Sequence, residues 1–203
     1  MSQATYSLRQ SLQLQRRSIS QKEREHFDYC IHQNLIKSGI LLRSNRIAGY
    51  FSNNGEPAVD LLMQICGERN LAFYLPVINK RNLRFCLYKW GDDLQNNVFN
   101  IPQPANQHSL PSQFLSTILM PLVGFDSQGN RLGMGGGYYD RSLSFTLASS
   151  CKKKPLLIGI AYSCQQVKNI IRQNWDVSLD AVITEKGLTC FSSTAEQLLH
   201  SHR

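Results

Sequence analysis

The sequence predicts an α/β fold of three layers, with a mainly parallel central sheet and helices on both faces. Three observations carry this. Short apolar runs recur along the chain, among them Ile47-Ala-Gly-Tyr-Phe-Ser52, Ile118-Leu-Met-Pro-Leu-Val123 and Leu156-Leu-Ile-Gly-Ile-Ala161. Segments with helical spacing alternate with these runs. A glycine-rich segment follows the run at 118–123, on the edge where ligands gather in such sheets, the carboxyl ends of the strands.

Residues 4–18 are polar and compatible with a helix, with Leu8, Leu12 and Leu14 expected to touch the core. Ser20-Gln-Lys-Glu23 sets a hydroxyl three residues before a carboxylate, the capping-box pattern. Phe27, Ile31 and Leu35 then recur four residues apart, so a helix runs to about Lys37 and Gly39 ends it. Ile47–Ser52 reads as a strand entering a turn at Asn53-Asn-Gly55. Pro57 suits the first turn of a helix whose inner face is Val59, Leu62, Met63 and Cys66. Leu71–Pro76 reads as a strand stopped by its proline, and Leu83–Tyr88 as a half-exposed strand.

Asp92 to Ser116 is rich in Asn, Gln, Pro and Ser, which predicts mostly loop with short turns. Ile118–Val123 reads as a buried strand and Leu156–Ala161 as a central one. Gln165–Ile171 is expected to be a short helix, Ala181–Thr184 the final strand, and the polar last dozen residues a frayed helix. No internal repeat is evident, and residues 1–203 are expected to form a single domain.

Composition narrows the function. No apolar run approaches the ~20 residues of a membrane span. The opening Met1-Ser-Gln-Ala-Thr-Tyr6 lacks the layout of a signal peptide, so a cytoplasmic protein without a membrane partner is expected. Six cysteines stand singly with no CxxC pair, which excludes zinc ribbons and thiol redox motifs and predicts buried, reduced thiols. The five histidines (His26, His32, His108, His200, His202) form no metal or triad pattern. Lys and Arg exceed Asp and Glu by 22 − 14 = 8, spread along the chain, with Arg16-Arg17 and Lys152-Lys-Lys154 as short clusters. A nucleic-acid surface would concentrate its cations and interleave aromatics. A basic surface also steers small anions, and composition alone leaves both readings open.

The sharpest feature is Arg131-Leu-Gly-Met-Gly-Gly-Gly-Tyr-Tyr-Asp-Arg141. Gly133, Gly135, Gly136 and Gly137 fall within five residues, beside fixed charge. Without Cβ atoms, backbone amides can come within hydrogen-bonding range of a phosphate, so a phosphate cradle is expected over an idle turn.

Together with Phe125-Asp126 and Gly129, this string closely resembles the signature of the 5-formyltetrahydrofolate cyclo-ligase family. Arg9, Tyr50-Phe-Ser52 with Glu56, Ile101-Pro-Gln-Pro104, Ala161-Tyr162 with Gln165, and Asp180–Glu185 fall in the family's order and spacing, covering nearly the whole chain. The resemblance implies conversion of 5-formyltetrahydrofolate to 5,10-methenyltetrahydrofolate with ATP and Mg²⁺, releasing ADP and phosphate. It implies phosphorylation of the formyl oxygen followed by attack of N10. By the same resemblance, Thr5, Arg9, Arg131, Leu132, Gly133, Met134, Gly135, Gly136, Gly137, Tyr138 and Tyr139 would surround ATP. Phe51, Glu56 and residues Met134 to Tyr138 would border the folate, with Pro102-Gln-Pro104 nearby, and Asp140 and Asp180 would carry Mg²⁺. No residue is assigned as a proton-transfer catalyst.

Two departures concern charge. Family members usually have a lysine four residues before the N-terminal arginine, where this chain has Thr5, and some have basic residues where Met134 and Gly136 stand. Arg9, Arg131 and Arg141 are left to neutralise the phosphates. The expected partners are these two small molecules, with no nucleic acid, and the expected state is a monomer.

Overall fold

The computed structural model describes residues 3–106, 108–148, 150–151 and 153–199; His200, His202 and the Lys152 member of the basic cluster lie outside these. The chain opens with α1 (Gln3–Arg17) and α2 (Gln21–Lys37). The capping box forms as expected: the Glu23 amide donates to the Ser20 hydroxyl, and the Ser20 amide donates to the Glu23 carboxylate at 3.1 Å. Ile31 and Leu35 are wholly buried, whereas Leu14, on the outer face of α1, stays exposed. Gly39, with φ of +75°, ends α2 and turns directly into the short α3 (Ile40–Arg43).

The central strands follow as β1 (Arg46–Ala48), β2 (Ala72–Asn79), β7 (Thr117–Pro121), β10 (Leu156–Ile160) and β11 (Ala181–Thr184). Within one eight-stranded sheet they lie in the order β11, β10, β7, β1, β2, every neighbouring pair parallel. The edges are antiparallel: β12 (Gly187–Cys190) beside β11, then β3 (Asn82–Tyr88) and β6 (Ser109–Leu110) beyond β2. One face is covered by α2, α3, α4 (Asp60–Glu68) and α6 (Ser193–Leu199), through Leu35, Leu41, Met63 and Leu199. The other is covered by α5 (Tyr138–Leu143) and loops, through Leu143, Leu122 and Val177. Two small hairpins lie outside the main sheet, β4 (Leu94–Asn96) with β5 (Pro102–Pro104), and β8 (Gly124–Phe125) with β9 (Arg131–Leu132).

Several element limits differ from expectation, each for a local reason. Strand β1 ends at Ala48, because Tyr50 turns inward and donates its hydroxyl to the Pro57 carbonyl at 2.9 Å. Helix α4 starts only at Asp60, its first bonds running from the Leu62 and Met63 amides to the Val59 carbonyl. Pro76 does not stop β2. The Ile78 amide, two residues on, points away from β3 to Gln103, so Pro76 lacks its amide on a side where no ladder partner waits. The segment 165–171 is not helical after a single 3₁₀ turn at Ser163–Gln165. Its amides are taken by the β8–β9 hairpin, Val167 by the Phe125 carbonyl at 2.8 Å and Ile170 by Asp126 at 2.9 Å. Strand β11 is not the last, since the chain folds back at Gly187 to add β12. The region 92–116 is mostly loop but contributes β4, β5 and β6.

The six cysteines are all free thiols. Burial pushes the Cys66 thiol up to about 11, which suits an unreactive core residue. Among the described residues no helix is long and apolar enough to cross a membrane.

Candidate active site

From β1 the chain departs through α4 towards β2, and from β7 it departs the opposite way towards β10. This reversal between two adjacent parallel strands opens a crevice above their carboxyl ends, the usual ligand position in such sheets. Gln165, fully buried, builds its floor. Its amide nitrogen donates to the Leu122 and Val123 carbonyls at 2.9 and 3.0 Å, and its oxygen accepts from the Tyr162 amide at 2.8 Å.

The glycine-rich loop leaves the β8–β9 hairpin, whose turn is pinned by the buried Asp126. Burial pushes this carboxyl up, but hydrogen bonds from the Asn130 side chain and the Ile170, Gln128 and Asn130 amides outweigh it, leaving the group below its usual range. Beyond Leu132, which anchors in the core, Gly135 has φ of +97° and Gly137 of +63°, conformations that L side chains resist. Arginines hold two carbonyls of the loop. Arg9 Nε donates to Gly133 at 2.7 Å and Arg141 Nη2 to Gly136 at 2.8 Å. With those oxygens engaged, neither is turned towards an incoming anion. Gln13 donates to the Met134 sulfur at 3.1 Å, so α1 lines one flank of the loop. Thr5 lies one turn before Arg9 on α1. The Tyr138 ring carries the Arg141 guanidinium at 5.2 Å on one side and meets Phe99 edge-on at 5.9 Å.

Arg131 and Asp140 meet each other, with Nη2 donating to Oδ1 at 2.6 Å, and the Val177 amide also donates to that oxygen at 3.2 Å. Asp180 stands just before β11, at the amino ends of β10 and β11, and its Oδ2 accepts from the Leu157 amide at 2.8 Å. Among the described residues no hydrogen bond joins the two aspartates, and no group of three or more His, Cys, Asp or Glu is arranged around a cation.

Glu56 closes the other side of the crevice. It follows the turn after β1, and its Oε2 accepts from the Asn53 amide at 3.1 Å. Across it, fully buried Arg16 donates to the Leu122 and Asn54 carbonyls, each at 3.0 Å, and places Nη1 3.9 Å from Glu56 Oε1. Tyr50 and Tyr139 also feel the Glu56 charge. Phe51 packs edge-on against Tyr88 at 5.8 Å, a wall of the apolar core beside the turn.

Burial raises the Glu56 carboxyl to about 7, although Arg16 and the Asn53 amide pull it down. A carboxyl whose folded value lies above its unfolded one binds protons more tightly when folded. Its stabilising contribution is therefore complete below about 4.5 and is lost as pH rises through about 7. The melting temperature should fall as pH rises from about 4.5 to about 7 and level off above that, and Glu56→Gln should flatten that part of a calorimetric pH series.

The comparisons with known proteins converge. The model of the "5-formyltetrahydrofolate cyclo-ligase family" matches residues 1–185. The chain belongs to that family. It is 41% identical over 142 residues to the 5-formyltetrahydrofolate cyclo-ligase of Haemophilus influenzae, covering 68% of this chain and 74% of the relative. Against the Escherichia coli K12 cyclo-ligase it is 30% identical over 174 residues, covering 83% and 93%. Among solved structures, the Aquifex aeolicus 5,10-methenyltetrahydrofolate synthetase is similar with a TM-score of 0.81 and 26% identity over 93% of each chain. The Mycoplasma pneumoniae 5,10-methenyltetrahydrofolate synthetase gives 0.69 with 26% identity, covering 89% and 98%.

As a cyclo-ligase, this enzyme gathers the expected residues unevenly. Arg9 meets the glycine loop at Gly133, and Tyr139 lies within range of the Glu56 charge, while Asp180 sits apart at the amino end of β11. Sequence reasoning missed Arg16, which looked like half of a surface cluster, and Phe99 over Tyr138. The one available signal for Arg16 was its spacing, seven residues after Arg9 and so on the same face of α1. A second basic recess, a cleft of about 300 Å³ lined by Lys80, Arg84, Gln113 and Arg141, lies on the β3 side of α5.

Proposed function

We propose that the crevice above β1 and β7 is a shared site in which ATP activates 5-formyltetrahydrofolate for ring closure. The observation that carries this reading is the glycine loop, with Gly133 and Gly136 carbonyls drawn back by Arg9 and Arg141, leading into Tyr139, whose hydroxyl feels the charge of the buried Glu56. The loop's amides suit the β- and γ-phosphates. Glu56 suits the N–H donors of the pterin edge.

A formamide oxygen is a poor leaving group, which explains the need for a nucleotide. The N5-formyl oxygen attacks the γ-phosphorus and the bond to ADP breaks. N10 then attacks the formyl carbon and loses its proton, and the carbon–oxygen bond breaks to release phosphate carrying the former formyl oxygen. The chain's contribution is to hold the two substrates in line and to neutralise charge on the transferring group. Arg9, Arg131 and Arg141 supply that charge in place of the cations missing at Thr5, Met134 and Gly136.

Magnesium would offset the charge of the phosphates, and a single carboxylate together with phosphate and water is enough to hold it. Asp140 fits that role, with Arg131 leaving its oxygen for a phosphate as ATP arrives. Asp180 stands at the amino ends of β10 and β11, the edge of the sheet away from the crevice, and accepts from the Leu157 amide, so this reading rests on Asp140 alone. Asp140→Asn should shift the Mg²⁺ concentration for half-maximal rate upward by about tenfold. An unaltered Mg²⁺ titration would leave Asp140 only its bonds to Arg131 and Val177.

The reading is tested by mixing enzyme, ATP, Mg²⁺ and 5-formyltetrahydrofolate labelled with ¹⁸O in the formyl group. Absorbance of the methenyl product should rise only with ATP present, and the label should appear in inorganic phosphate. Product formed without ATP, or with the label lost to water, would refute the mechanism.

A further inference from the structure

Arg16 is wholly enclosed, where the guanidinium has left water entirely. For stability alone a packed apolar side chain serves as well or better, since desolvating a cation is unfavourable. We propose that Arg16 is the positioning residue of the folate half-site, clamping the turn that carries Glu56 to the end of β7 and presenting its carboxylate, charged, to the pterin's N–H donors. This rests on the reading of Glu56 given above.

The geometry supports both parts. The two outer nitrogens of Arg16 each hold a carbonyl, Leu122 at the exit of β7 and Asn54 in the turn before Glu56, so the fork spans the crevice from one strand end to the other. The 3.9 Å to Glu56 is too long for a hydrogen bond, so Arg16 acts on the carboxylate through its field. Its Nε is buried with no hydrogen-bond partner, a cost that a purely structural clamp would not need to carry. The groups facing Glu56 are Arg16 from α1, Tyr50 after β1, Tyr139 at the start of α5, and the Asn53 amide. Arg16 is the cation in that set, and it opposes the burial that would keep Glu56 protonated. Arg9 and Arg16 lie two helical turns apart on α1, one on the Gly133 carbonyl and the other on Asn54, so a single rigid helix fixes the nucleotide loop relative to the folate turn.

The test is steady-state kinetics against pH for Arg16→Gln, Arg16→Lys and Glu56→Gln. Arg16→Gln should raise KM for 5-formyltetrahydrofolate at pH 7 about tenfold and move the inflection of KM against pH upward by about one unit, as loss of a neighbouring cation requires. KM for ATP and kcat should change less than threefold. Arg16→Lys, which keeps the charge and loses the fork, should raise KM with the inflection near its wild-type position. If Arg16→Gln does not fold, Arg16→Lys decides the matter, because a wild-type KM for the folate would overturn the proposal. Unmoved KM profiles in folded Arg16 variants, beside a raised KM in Glu56→Gln, would overturn the role of Arg16 alone. An unchanged KM in Glu56→Gln would overturn the reading of Glu56 and this proposal together.

Discussion

Cyclisation should fall by about a hundredfold or more when Gly135 is replaced by valine, with the fold intact. The residue has φ of +97°, where a β-branched side chain is strained by roughly 1–3 kcal/mol. The loop is anchored at its ends by Leu132 in the core and by α5, and between them by side-chain bonds from Arg9, Gln13 and Arg141 that can re-form, so it can relieve this strain by turning its peptide planes without unfolding the sheet. Those planes carry the amides that the proposed site turns towards the phosphates. Losing two charge-assisted hydrogen bonds, each worth about 1.5–3 kcal/mol, accounts for two or more decades in rate. Nucleotide titration monitored by calorimetry would show the loss directly, and circular dichroism would show the unchanged fold. Undiminished ATP affinity in Gly135→Val would remove the loop from the phosphates.

Glu56→Gln is the second large effect, expected on the other substrate. A glutamine offers one acceptor and one donor where the pterin edge presents donors only, so it both loses an ionic hydrogen bond and opposes a second. The expected rise in KM for 5-formyltetrahydrofolate is about tenfold to a hundredfold, from roughly 1.5–3 kcal/mol per ionic bond. The wild-type enzyme should bind the folate more weakly as pH falls through about 7, because the carboxyl takes up a proton there. In Glu56→Gln that dependence should vanish. The two variants therefore separate the half-sites, Gly135 governing the nucleotide and Glu56 the folate.

The sheet's centre was legible because its strands are continuous apolar runs buried on both faces, as Leu156–Ile160 and Ala181–Thr184 show. Helix α2 announced itself by its capping box and its Phe27, Ile31, Leu35 stripe. What escaped was decided by tertiary partners. Gln165–Ile171 has helical spacing, but Asp126 and Phe125 capture its amides from a distant hairpin. Pro76 looked like a stop because the sequence does not say which side of β2 lacks a neighbour.

The site divides in the same way. The glycine string was legible as a candidate phosphate cradle, because four glycines stand beside Arg131 and Asp140. Arg16 carries no local mark. Its burial arises only when α1 lies across the gap between β1 and β7, and in sequence it is one arginine of an ordinary basic pair. The pairing of Arg131 with Asp140 was equally hidden, since both were read as ligand contacts and not as partners of each other.

The proposed site is one crevice, between the glycine loop and Glu56, that receives both substrates. A crystal structure of the enzyme with a non-hydrolysable ATP analogue, Mg²⁺ and 5-formyltetrahydrofolate tests it most directly. The γ-phosphate should lie within hydrogen-bond reach of the amides of residues 133–137, the pterin edge on Glu56, and the formyl oxygen facing the γ-phosphorus. A nucleotide lodged instead in the basic cleft of Lys80, Arg84 and Arg141, across α5 from Glu56, would contradict it.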